Sequence, residues 1–174
     1  MNVKHFRFIC KLLSGLFKGL ATVGIGIVVL GFYLVLFTDT GSFNFEIDGF
    51  SLFVSQSYIE EEIFSTAALI VSPYIIGLFA YVLFKGSSLL DQLEAGHSPF
   101  NSTFAYNLKK ISLVLIISDI STPLLYSLFV TLLADGHYFN IALGSSFVIG
   151  LILYAVAEIF NYGIELQELS DDTI

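Results

Sequence analysis

Residues 111–134 read ISLVLIISDISTPLLYSLFVTLLA, an apolar run interrupted by one acid, Asp119, and one proline, Pro123. A helix rises about 1.5 Å per residue and needs about 20 mainly apolar residues to cross a hydrocarbon core roughly 30 Å thick, so this stretch is long enough to span one. Three further windows pass the same test: 19–38 and 63–84, which carry no charge, and a run that begins at Tyr138 and stays uncharged until Glu158. Of the 174 residues, 56% are hydrophobic and 13% are charged, and the mean hydropathy is +0.85. Soluble domains run about 45–50% apolar and about 25% charged, so too little polar surface remains to cover a water-soluble globule. What lies between the windows is too short for a separate soluble domain. The expected fold is all-α: one domain over 1–174, a four-helix bundle with transmembrane helices at about 13–38, 63–84, 111–134 and 138–160.

The first window follows Lys4, Arg7, Lys11 and Lys18 and so imitates a cleaved signal peptide. A signal h-region is only about 7 to 15 residues long and ends at a small-residue cleavage site. Here 20 uncharged residues lead into Thr38-Asp39-Thr40, which favours an uncleaved span. All seven Lys and Arg lie either before the first span or between the second and third, whereas 39–62 holds six acids and no base. Lys and Arg near span ends stay in the cytoplasm, so the expectation is a multi-pass protein of the cytoplasmic membrane with both termini inside. Lys4, Arg7, Lys11, Ser14 and Lys18 recur every three or four residues and share a helix face. Either an interfacial amphipathic helix or a continuous first helix with protruding bases fits that spacing.

On the outer side, apolar and polar residues alternate over 42–48 and again over 50–55 around Asp48-Gly49, which predicts a β-hairpin over 42–55. On the inner side, the loop 85–110 reads as a short helix, a break at 96–100, and a second helix capped by Asn101 or Ser102 that continues into the third span.

Several short motifs then occur in order: Leu90-Asp91 to Gly96, Pro99-Phe100, Asn107-Leu108-Lys109, Ile111, Ala157-Glu158-Ile159-Phe160, Gly163, Glu165-Leu166 and the closing Asp172-Thr173-Ile174. They resemble the bacterial domain-of-unknown-function family 2975 of small four-span membrane proteins. The likeness covers the inner loop and the C-terminal half by motif, and the first two spans by layout. Asn161-Tyr162 stand where the family pattern has a basic pair. The resemblance implies a location and a partner, a short Cro-like helix-turn-helix regulator encoded beside such proteins, and no reaction. It marks Gly96, Pro99, Phe100, Gly163 and Glu165 as a candidate partner surface.

Asp119 lies nine residues beyond Lys110, about 13 Å deep at helical rise. With Ser118, Thr122 and Pro123 it forms a candidate ligand or proton site, since ionisable groups within a span usually face a bundle interior or a cavity. The plainer reading is an acid that fixes packing at a proline kink. Glu158 sits near the inner end of the fourth span at the depth of Lys109 and Lys110, which predicts an ion pair closing the inner face. Gly15-Gly19 and Ser146-Gly150 are small-residue pairs suited to helix contact.

His5, His97 and His137 are dispersed and Cys10 is the sole cysteine, so no metal site is expected, and no cofactor. HExxH, GxSxG, Walker A and CxxC motifs are absent. Phe139-Asn140-Ile141-Ala142 resembles a lipoprotein signal peptidase motif, but Leu143 stands where the catalytic aspartate is required. A net charge of -8 argues against direct nucleic-acid binding. The expected partners are the lipid bilayer, the regulator, and further copies of the chain in a homo-oligomer. The leading expectation is a non-enzymatic sensor or membrane anchor for that regulator. The alternative is a small oligomeric transporter or channel component using Asp119.

Overall fold

A computed structural model describes residues 3–37, 50–56 and 58–171. The elements in chain order are α1 (Val3–Phe37), β1 (Phe50–Gln56), α2 (Glu61–Glu94), α3 (Ser102–Leu133), β2 (Tyr138–Leu143) and α4 (Ser145–Asp171). All four helices are long and apolar enough to cross a membrane. Each helix packs extensively on its neighbour in sequence, α1 on α2, α2 on α3 and α3 on α4. The result is a row whose two edges are α1 and α4. The most apolar windows of α1 and α4 are each 11% buried, against 28% for α2 and α3.

Local chemistry sets the helix ends and kinks. Asn101 caps α3 by accepting the Phe104 amide at 2.7 Å. Gly96 closes α2 at φ +91°, a left-handed conformation that suits glycine. The expected break within the inner loop lies only there, because α2 runs uninterrupted through Gly86 to Glu94. Pro73 has no N–H to give the carbonyl four residues earlier, and Ser72 Oγ donates to that carbonyl, Leu69 O, at 2.9 Å. Glu61 and Glu62 occupy the first turn of α2, at the positive end of its dipole.

α1 is one continuous helix whose buried residues, Cys10, Ser14 and Ala21, form a narrow stripe against α2. Ala21 and Phe17 meet Ala80 and Leu83, and Ile76 lies beside Gly24. Glycine also sets the α3–α4 approach. A Cβ at Gly150 would stand 2.7 Å from Ile116 Cγ1 and 3.0 Å from the Ser112 carbonyl oxygen.

One sequence expectation needs correction. The fourth span is expected as a helix from 138, but Tyr138–Leu143 is a strand and α4 starts at Ser145, because polar side chains at every fourth position of α3 bind the strand's backbone. A small antiparallel β-ribbon is present. Its strand over the expected second arm is β1, which pairs with β2, Phe50 opposite Leu143 and Gln56 opposite Tyr138. The expected first arm, 42–48, lies outside the described residues.

Gly150→Ala is expected to lower the unfolding temperature in detergent, with a cost of about 1–3 kcal/mol from overpacking. Gly77→Ala, where a Cβ would meet nothing within 4 Å, should be neutral or slightly stabilising. Equal effects of the two would contradict the α3–α4 approach described.

Candidate functional site

The region around Asp119 is built from α3 and β2. Asp119, Pro123, Ser127 and Thr131 are spaced by four and fall on one face of α3. That face runs along β2. Thr131 Oγ1 donates to the Tyr138 carbonyl at 2.8 Å and accepts the Tyr138 amide at 3.1 Å. Ser127 Oγ accepts the Asn140 amide at 2.9 Å and donates to the Pro123 carbonyl at 2.7 Å. Asp119 Oδ2 accepts the Gly144 amide at 2.6 Å, just before α4 begins. Four residues of helix advance about 6.0 Å and two residues of strand about 6.6 Å, so side chains every fourth residue meet backbone groups near every second one. Buried Pro123 fills the rung between Ser127 and Asp119.

This geometry assigns Asp119 to backbone satisfaction. Its candidate companions turn back onto α3: Ser118 Oγ donates to the Leu115 carbonyl at 2.9 Å and Thr122 Oγ1 to the Ser118 carbonyl at 2.7 Å. They do not converge with Asp119 on a common point. Ser121, a third hydroxyl of the same turn, bonds the Tyr74 hydroxyl of α2 at 2.7 Å. Among the described residues no three His, Cys, Asp or Glu side chains form a cluster fit for a metal ion.

Ser127, Thr131, Asn140 and Gly144 were missed as site residues. Their signal was the four-residue spacing of polar groups continuing from Asp119, which is invisible until a strand is placed opposite. Asn140 is buried, and its Oδ1 has no hydrogen-bond partner among the described residues. Beside it, Tyr138 packs edge-on against Phe64 and Tyr126 at centroid distances of 5.3 and 5.9 Å.

The opposite end of the row carries the charged contacts. Lys18 Nζ pairs with Asp91 at 2.8 Å, and buried Ser14 donates to the same carboxylate. Lys11 lies 3.6 Å from Glu94, and the Arg7 guanidinium covers Gly96, where a Cβ would come within 2.6 Å of it. Arg7, Lys11 and Lys18 of α1 therefore meet the end of α2, so the helix is continuous, as one alternative had it, but these bases are engaged rather than protruding. Of the two lysines expected near Glu158, Lys109 pairs with it and lies over the Tyr154 ring, while Lys110 lies over Tyr106. Asn161 also reaches Glu158, at 3.4 Å.

The motif residues of the inner loop and α4 come together here too. Phe100 packs against Phe160 at 5.4 Å between centroids and abuts Gly163, where a Cβ would lie 3.2 Å from its ring. It remains 49% exposed. Pro99 is partly buried and Glu165 is exposed. Gln92, His97, Ser98, Asn101 and Thr103 line an open hollow of about 480 Å³ next to Phe100.

The four spans make this chain a multi-pass membrane protein. It matches no protein-family model, no curated protein and no solved structure.

Asp119→Asn keeps an acceptor oxygen for Gly144 and should fold normally. Asp119→Leu leaves that amide unpaired and should cost about 1–3 kcal/mol, read by thermal unfolding in detergent. Equal loss in both variants would show that the charge, rather than the acceptor, is what the site needs. Glu158→Lys, which sets two cations together, should reduce membrane expression, and adding Lys109→Glu should restore part of it. Failure to recover would count against the pair.

Proposed function

We propose that this chain is a non-enzymatic protein of the cytoplasmic membrane, with both termini inside, that acts as a sensor or membrane anchor for a small helix-turn-helix regulator. The orientation rests on the distribution of Lys and Arg, all of which precede the first span or lie between the second and third. The carrying observation is the composite surface at that end of the row. The open hollow lined by residues from Gln92 to Thr103 adjoins half-exposed Phe100, and Phe100 is fixed to α4 through Phe160 and Gly163. An exposed aromatic ring beside polar groups is the usual make-up of a protein-recognition patch. Because the loop is braced on α4, and α4 runs back to β2 through Gly144, a change at the ribbon end has a continuous helix by which to reach this surface. The identity of the partner rests on the resemblance to family 2975 and to the regulators encoded beside its members. The Asp119 carboxylate is engaged by a backbone amide, which leaves the transporter reading without a supporting observation.

Cysteines introduced at Ser98 and at His137 in a Cys10→Ala chain test the orientation. An impermeant thiol reagent added to intact cells should label the His137 position alone. Affinity capture from solubilised membranes tests the partner. The regulator should co-purify with the wild-type chain and its recovery should fall at least tenfold with Phe100→Ala. Recovery of no helix-turn-helix protein with the wild-type chain would end the proposal.

A further inference from the structure

The row of helices leaves two edges, and their chemistry is complementary. α1 carries Lys4, Arg7, Lys11 and Lys18 and no acid, whereas α4 carries Glu158, Glu165, Glu168 and Asp171 and no base. On α1, the face turned away from α2 holds Phe8, Leu12, Gly15 and Gly19, with Lys4 alongside, whereas Lys11, Lys18 and Arg7 lie against the end of α2. A Cβ at either glycine would meet nothing within 4 Å. The GxxxG expected for helix contact is therefore unused among the described residues, although such a pair lets two helices approach closely. On α4, the exposed residues Val148, Ile152, Ala155, Ile159, Tyr162 and Leu166 recur at alternating four- and three-residue spacing, the period of a helix-packing seam. Glu165 flanks the stretch of this seam that lies beyond the Lys109–Glu158 pair.

We infer that the chain assembles head to tail, the outward face of α1 in one copy docking on the outward seam of α4 in the next. The open glycines admit the bulky α4 side chains, and Lys4 faces Glu165. α1 and α4 run in opposite directions, as α1 and α2 do within one chain, so the basic start of α1 meets the acidic end of α4. A second copy fits better than pairing of like edges. Two α1 helices would align bases with bases, and two α4 helices acids with acids, at a cost in like-charge repulsion. Such a contact is heterologous, so copies added edge to edge close into a ring or extend a row. The surface is distinct from the hollow beside Phe100, so failure of regulator capture and failure of assembly are separate results.

The test uses the wild-type chain, mixed from two isotope-labelled preparations in a mild detergent and treated with a carbodiimide, which joins a lysine directly to a contacting carboxylate. Mixed-isotope peptides linking Lys4 to Glu165, from a species of more than one copy by light scattering, are the expected result. Gly15→Leu fills the open face without touching the chain's own helices, and should leave the unfolding temperature unchanged while reducing those linked peptides at least tenfold. Glu165→Lys should do the same, with mixed links recovered between the swapped positions when it is combined with Lys4→Glu. A monomeric wild-type chain, links confined to one copy, or links joining α1 to α1 would each overturn the inference. So would unchanged mixed links in Gly15→Leu.

Discussion

A strand placed beside membrane-spanning helices must have its backbone polar groups satisfied, and the rest of this structure depends on how that is done for Tyr138–Leu143. A buried amide or carbonyl left without a partner costs free energy, so a strand edge packed against helices persists only where the protein supplies hydrogen-bond partners. One edge of β2 is paired by β1. Along the other, Thr131, Ser127 and Asp119 of α3 act as a substitute strand, offering hydroxyl and carboxylate groups at helical spacings that match the strand repeat. Stripped of those side chains, the same helix would leave the amides of Tyr138, Asn140 and Gly144 without these partners.

The strand also shows why composition misplaces the start of α4. Tyr138–Leu143 and the helix from Ser145 lie in one uncharged run that ends at Glu158, and hydropathy alone cannot distinguish strand from helix within it.

At the other end the row is fastened by charge. Lys18 with Asp91 joins α1 to α2, and Lys109 with Glu158 joins α3 to α4. The aromatic set Phe100, Phe104 and Phe160 binds the connection between α2 and α3 to α4. These contacts fix the relative heights of the helices where apolar surfaces, equally content against lipid or protein, specify little.

Much of this was legible in the chain itself. Four apolar runs announced four spans, Gly96 and Asn101 announced the turn between α2 and α3, and the depth of Glu158 announced an ion pair with one of two lysines. Hydropathy and local backbone preference are properties of short stretches, so sequence determines them directly. Only the tertiary structure decided which lysine pairs with Glu158, that the bases of α1 meet the end of α2, and that Asp119 serves a backbone amide. It alone also decided that β1 pairs with β2, a strand hidden inside an apolar window. Each of these is a contact between segments distant in the chain, where the partner, and with it the meaning of a polar residue, exists only once the backbone has been folded past it.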